Sequence, residues 1–206
     1  MTARYTEFAF TDPIKERQKT AGSHASYDNM AKKSTGEADA IGEAEEAFIG
    51  MRDSFYVASV TSDGWPYMQH RGGPRGFLKV VDPHTLAWAD YTDNKQYISA
   101  GNVDDENRVS LLLMDYPNQR RLKIMGHART VERDDPEFPE DVIDAEYDAP
   151  VERAWLIDVA TFDWNCPKHI TPRFTEADIA PAVDKPMKRI ADLEAQLELA
   201  AYTNPQ

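Results

Sequence analysis

The sequence predicts a mainly β protein, an antiparallel sheet that curls and closes into a barrel, with helices at its periphery. Three observations carry this. From Phe55 to Val131 short apolar runs (FYVASVT, FLKVV, TLAWAD, VSLLLM and RLKIMGHARTV) are cut by breaks rich in Gly, Pro, Asn and Asp, the residues that satisfy turn geometry. The breaks Ser62-Asp63-Gly64, Asp82-Pro83-His84 and Asp115-Tyr116-Pro117-Asn118 are short, and strands joined by short turns pair antiparallel, because a parallel crossover needs a dozen or more residues. At 206 residues the chain is long enough to bury a sizeable core, and closing a sheet on itself removes exposed edges.

Composition narrows the function classes. The formal net charge of −13 argues against a general nucleic-acid binder, which shows a basic face, and against docking on an anionic membrane. One cysteine, Cys166, excludes an internal disulfide, a multi-cysteine zinc site and a CxxC redox pair; no metal site is expected. No apolar run reaches the ~18 residues of a membrane span, and MTARYTEFAF has no apolar signal core, so a cytoplasmic protein is expected.

Three segments are expected: an N-terminal arm over 1–40, a barrel over 41–178 and a C-terminal helix over 179–206. In the arm, DPIKERQ predicts a helix capped by Asp12 with Pro13 at its first position. The Ser-, Lys- and Gly-rich stretch beyond it reads as mobile, or as an arm that wraps a partner subunit. Ile41 to Met51 predicts a helix with Glu43, Glu45 and Glu46 at its positive end and Phe48, Ile49 and Met51 facing the sheet.

In the second barrel strand Met68, Gln69, His70 and Arg71 run into Gly72-Gly73. Three consecutive polar side chains cannot share one face of a strand. This is a solvated strand end or an edge lying against a flat polar ligand. The stretch DYTDNKQYISAGN breaks the strand rhythm. Lys95 to Ser99 reads as a short helix capped by Asp93 or Asn94, gathering Asn94, Lys95, Gln96, Ser99 and Asn102. A helix start with a lysine and a hydroxyl suits a phosphate; the same spacing also describes an ordinary surface turn. Arg120, Arg121 and Lys123 crowd the tip of the next hairpin, as a solvated turn or an anion contact.

Glu132 to Asp148 holds nine carboxylates and one arginine and is expected to be an exposed excursion. ERAWLIDVATF returns as a strand, and the loop DWNCPKHITPR that follows it is of a type that often carries function. The tail from Pro186 to Tyr202 predicts a helix with Ile190, Leu193, Leu197 and Ala200 at three-and-four spacing, too short a seam for a coiled coil by itself.

These motifs occur together elsewhere. DSFYVASVTSDGWPYMQHRGGPRGFLKVVD, LAWADYTDNKQYISAGN and RVSLLLMDYP with RRLKIMGHARTV resemble the FMN-binding split-barrel proteins of the pyridoxamine 5′-phosphate oxidase-like superfamily. FAFTDPIKERQ and DWNCPKHITPRFT are similar to the terminal signatures of one bacterial subgroup. The resemblance implies a homodimer of split β-barrels with two FMN molecules at the dimer interface. It puts Met68, Gln69, His70 and Arg71 along the isoalloxazine edge and Asn94, Lys95, Gln96 and Ser99 at the FMN phosphate, with Asn102 near them. The partner subunit supplies Tyr116, Pro117, Arg120, Arg121 and the loop carrying Trp164, His169 and Thr171. His169 or His70 near the N1/C2 edge is the group expected to stabilise a reduced flavin. The phosphate-gripping C-terminal Arg and His pattern of true pyridoxine phosphate oxidases is replaced by WNCPKHITPRF, so vitamin B6 oxidation is not implied. The implied activity is an FMN-dependent oxidoreductase for an unidentified small molecule, with an electron donor such as NAD(P)H. The alternatives are a non-catalytic flavin-binding, storage or redox-sensing protein, or heme or deazaflavin on the same barrel. No catalytic residue is assigned.

Overall fold

The computed structural model describes residues 1–203. It contains two compact units. The first comprises Met1–Asp115 and Arg120–Lys168, and the second comprises Tyr116–Gln119 with the chain from His169 onward.

The first unit is built on one seven-stranded antiparallel sheet: β1 (Ser54–Val60), β2 (Pro66–Gly72), β3 (Lys79–Asp82), β4 (Thr85–Tyr91), β5 (Arg108–Asp115), β6 (Arg120–Glu132) and β7 (Val151–Trp164). Their order across the sheet is β2-β1-β5-β6-β7-β4-β3. The strands fall where alternation and turn residues place them. β1 shows why: Phe55, Val57 and Ser59 point inward and are buried, while the residues between them are half-exposed, the period of two a one-sided sheet demands.

The sheet curls, but its hydrogen-bonded ladder is not closed as the sequence led us to expect; β2 and β3 remain edges. Curling is required by the core. Phe55 of β1 packs edge-on against Trp88 of β4 at 5.1 Å, although three strands lie between them. Trp88 in turn stacks on its cross-strand partner Trp155 at 5.2 Å. The chain leaves β2 through Gly72-Gly73-Pro74 and folds back on the residues just before β1: Gly73 and Gly76 donate to the carbonyls of Asp53 and Arg52.

The bend is made by β6 and β7. Their register shifts at Met125/Gly126, leaving Ala160 unpaired in the ladder, and a bulge of this kind sharpens local twist. Gly126 is required there, since a Cβ would meet the Asp158 carbonyl oxygen at 2.4 Å. The Ala160 carbonyl instead accepts from the Asp39 N–H at 3.2 Å. The Asp39 carboxylate also accepts from Thr161 Oγ1 at 2.6 Å and from the Phe162 N–H at 3.3 Å. These bonds tie the N-terminal segment to β7.

That segment is more structured than its composition indicated. It forms α1 (Ala3–Ala9), α2 (Asp12–Thr20) and α3 (His24–Ala31), with Thr11 rather than Asp12 at the α2 cap position. Tyr5 and Thr6 of α1 are buried. The helix α4 (Glu43–Ile49) starts with the Gly42 N–H donating to Glu45 Oε2. It buries Phe48 and Ile49, but Met51, past its end, is exposed rather than turned to the sheet. The acidic excursion is also corrected. It carries a 3₁₀ turn at Glu140–Val142, and Phe138 and Val142 are buried in a second apolar cluster with Ala87, Ala89, Ala154 and Leu156. Two apolar side chains suffice to anchor a segment whose carboxylates stay in water.

In the second unit, Gln119 Nε2 donates to the Ile170 carbonyl at 2.6 Å and the Arg173 guanidinium lies 4.7 Å from the Tyr116 ring centre. The tail helix begins ten residues before the expected Pro186, as α6 (Glu176–Thr203), with Pro181 and Pro186 inside it. Its start is a reciprocal cap: Thr175 Oγ1 accepts from the Asp178 N–H, and Asp178 Oδ2 accepts from the Thr175 N–H. Residues 204–206 of the expected tail lie outside the described residues. No described helix is long and apolar enough to cross a membrane.

Candidate functional site

The open seam between β2 and β4 is bridged by side chains instead of a ladder. Along β2 the inward positions are Tyr67, Gln69 and Arg71, and the outward ones Met68 and His70. Arg71 Nη1 donates to Asp90 Oδ1 of β4 at 2.7 Å, with both side chains largely covered. Trp155 Nε1 donates to Asp90 Oδ2 at 3.2 Å, and the Arg71 guanidinium sits 5.5 Å from the Trp155 ring centre. One aspartate thereby fixes the arginine and joins the seam to the tryptophan core. It satisfies the buried indole N–H and balances the guanidinium.

Two clefts open on this seam and share Gln69, Arg71, Asp90, Tyr91 and Asp93 as a common wall. The smaller, about 40 Å³, is completed by Tyr67, the 94–100 segment and Glu152. The larger, about 230 Å³, is completed by Phe77, Trp88, Ala89, Thr92, Tyr147 and the end of β2 at His70 and Gly72.

The lysine segment lies on the smaller cleft, in a conformation different from the expected short helix. Lys95 and Tyr97 both have left-handed backbone, φ 58° and 52°, and the helix α5 (Ile98–Asp105) begins only after them. The turn is held by Asn94, whose Oδ1 accepts from the Gln96 N–H at 3.1 Å, the kind of local bond by which Asn favours turns over helix. Ser99 in the first turn of α5 donates to Gln69 Oε1 at 2.7 Å, so helix and strand edge are locked together. The Arg153 guanidinium lies 4.7 Å from the Tyr97 ring centre.

Of the residues singled out in the sequence, Gln69, Arg71, Asn94, Lys95, Gln96 and Ser99 therefore share one cleft. Met68 is exposed, and the His70 ring packs edge-on against Tyr56 at 5.6 Å, on the outward face. Asn102 is buried one turn further along α5 and donates to Ser59 Oγ at 2.9 Å; it lines neither cleft. Trp164 and Arg120 are engaged elsewhere in the same unit. Trp164 Nε1 donates to Glu45 Oε1 at 2.6 Å, its ring meets Phe48, and Arg120 covers it at 4.6 Å. Arg121 Nη2 donates to the Cys166 carbonyl. In the second unit, Tyr116 and Pro117 open the hairpin turn, and His169 has left-handed backbone, φ 66°, two residues before Thr171.

Sequence reading missed Asp90 and Tyr91, which look like the end of an ordinary strand. Their signal was available: Asp90 is the one charged residue in TLAWADY. Tyr91 carries the more telling feature. Its hydroxyl is buried with no hydrogen-bond partner, as is Arg71 Nε. Burial, and then the Asp144 carboxylate and Tyr147, pushes the Tyr91 phenol above its usual pKa, so at neutral pH it stays a proton donor. Both orphaned groups belong to residues of the common wall, and an unmet buried donor costs about 1–3 kcal/mol. A ligand offering acceptor oxygens relieves that cost.

Residues 41–162 match the family model described as pyridoxamine 5′-phosphate oxidase. The chain belongs to this family. The matched stretch runs from the residues just before α4 to Phe162, so it includes β1 to β6, all but the last two residues of β7, and both clefts. No curated protein sequence matches the chain. Among solved structures similar to this family member, HupZ of Group A Streptococcus is 15% identical, over 65% of this chain and 99% of that one, with a TM-score of 0.49. A putative pyridoxamine 5′-phosphate oxidase from Lactobacillus delbrueckii is 22% identical, over 60% and 93%, with a TM-score of 0.46. An FMN-binding protein from Syntrophomonas wolfei is 12% identical, over 59% and 83%, with a TM-score of 0.42. Likeness at this level assigns no function.

Proposed function

We propose that this chain is an FMN-dependent oxidoreductase acting on a small molecule, with the flavin nucleotide held where two copies meet. The observation that carries the proposal is the pair of orphaned buried donors, Arg71 Nε and Tyr91 OH, beside the left-handed turn that presents Lys95. A phosphate supplies acceptor oxygens to a lysine, a hydroxyl and a guanidinium at once. Asp90 holds Arg71 in place from the other side. Asp93 and Glu152 also line the smaller cleft, so the phosphate would sit towards Lys95 and clear of both carboxylates. Gln69 and the end of β2 face the flat ring, and the Trp88–Trp155 stack keeps water out beneath it. Bound FMN supplies the electron and hydride chemistry that no side chain here performs.

Two features favour a second copy. Sites for ligands of this size span roughly 300–1,000 Å³, and the larger cleft offers only about 230 Å³. A groove of about 420 Å³ beside β1, β5 and β6 is lined mainly by apolar residues, among them Phe8, Ala58, Val60 and Met125. The second copy would bring Tyr116, Pro117, Arg120, Arg121, Trp164, His169 and Thr171 to the shared site.

Mass spectrometry of the ligand released from the purified protein tests the proposal. The expected result is FMN, with a flavin absorption spectrum and NADH or NADPH oxidation in air. A heme band, or protein that stays colourless after incubation with FMN, would overturn it.

A further inference from the structure

The second unit leaves a stripe of large apolar side chains in water. On α6, Ile179, Val183, Ile190, Leu193 and Leu197 are between 41% (Leu193) and 70% (Leu197) exposed. Their spacing is four, seven, three and four. With Pro186 filling the gap between Val183 and Ile190, this is an unbroken alternation of fours and threes over the 19 residues from Ile179 to Leu197. Such a 3.5-residue repeat is the seam of a left-handed coiled coil, with Val183, Ile190 and Leu197 at a positions and Ile179, Pro186 and Leu193 at d positions. The start of α6 at Glu176 is what makes the seam long enough; from Pro186 onward it holds little more than two turns.

The helix also requires support. Pro181 and Pro186 each remove a backbone hydrogen bond from its interior, and helices in proteins are held mostly by packing of the apolar face rather than by propensity.

Charge identifies the partner. Arg189 precedes the a position Ile190 and occupies g; Glu194 follows the d position Leu193 and occupies e. In a parallel pair, a g residue meets the e residue five positions on in its mate, so Arg189 meets Glu194 twice, once on each side of the axis. In an antiparallel pair g faces g and e faces e, and the two charges do not meet. Val183 and Ile190 at a with Leu193 at d favour two strands, Leu197 at a and Ile179 at d do not, and the parallel choice rests on the Arg189–Glu194 match. We infer that α6 pairs in parallel, in register, with α6 of a second copy of this chain. This inference does not depend on the cofactor reading.

The test is disulfide trapping in the full-length chain with Cys166→Ser as background. Facing a positions in a parallel pair bring Cα atoms within about 6 Å, inside the window a disulfide accepts. Ile190→Cys should therefore form a covalent dimer under mild oxidation, at a rate roughly tenfold or more above Asp184→Cys, whose side chain lies at an outward position. Adding Arg189→Glu should slow trapping at low salt, and Arg189→Glu with Glu194→Arg should restore it. Equal trapping at Ile190→Cys and Asp184→Cys would overturn the pairing, as would indifference to the charge swap. A dimer that persists by light scattering while the introduced thiols stay reduced would refute the helix pairing and leave the flavin-site dimer standing.

Discussion

The tryptophan core and the cleft beside it are built from neighbouring residues of the same strands and obey opposite rules. In the core, Trp155 is fully buried, stacked on Trp88, and its indole N–H is satisfied by Asp90, whereas Trp88, which also lines the larger cleft, has its indole N–H unmet. One residue along β4 from Asp90, the Tyr91 hydroxyl is buried and unmet, and across the seam Arg71 Nε is too. Here a paired polar group and unmet ones lie side by side on the wall of one cleft. The difference separates residues that hold the fold from residues kept for a ligand, and each class makes its own prediction.

The largest expected effect lies in the core. Trp155→Ala removes a stacked ring and the Asp90 donor together and should cost about 4 kcal/mol, measured by denaturant unfolding. Gly126→Ala drives a Cβ into the Asp158 carbonyl at the β6–β7 bulge and should cost about 3 kcal/mol in the same assay. In the cleft the signs change. Lys95→Ala, exposed and in a left-handed turn, should leave stability within about 0.5 kcal/mol and weaken FMN by roughly 10- to 30-fold, as loss of a charge-assisted bond to phosphate predicts.

Tyr91→Phe sharpens the contrast further. It deletes an unmet buried hydroxyl, so the ligand-free protein should gain about 1 kcal/mol while FMN affinity falls. The same substitution has a pH signature. Below about pH 10 the phenol is protonated in both folded and unfolded chains, so it adds no pH dependence to stability there. Because its folded pKa is raised, above that pH the unfolded chain loses the proton first and stability declines as pH rises through the folded pKa. Tyr91→Phe should remove that share of the alkaline decline. The smallest effect belongs to Asp93→Asn, which lifts a carboxylate from the smaller cleft and should tighten FMN about two- to threefold at low salt, fading as salt rises.

The strands were legible in the sequence because a half-buried sheet writes itself as a period of two punctuated by turn residues. The start of α4 was legible for a similar local reason, in its acidic first turn. The lysine turn was placed but misread. Lys95 and Tyr97 adopt left-handed backbone, which neither residue type advertises, and Tyr97 supplies no capping bond to mark where α5 begins. The early start of α6 is written in Thr175-Glu176-Ala177-Asp178, a capping box with Asp in place of Glu, while Pro181 and Pro186 inside the helix speak against it. Burial of Phe138 and Val142 depends on a surface offered by Ala87, Ala89 and Leu156, far away in sequence. Asp90 gained its role by meeting Arg71 across 19 residues, a distance at which local pattern is silent.

The central claim is that the Lys95 turn and Arg71 grip the phosphate of a flavin nucleotide, and titration of the full-length protein with FMN and with riboflavin, followed by quenching of flavin fluorescence, tests it most directly. The account predicts FMN to bind roughly 100-fold more tightly than riboflavin, with Lys95→Ala closing most of that gap. Equal affinity for the two flavins, or a gap that Lys95→Ala leaves unchanged, would contradict it.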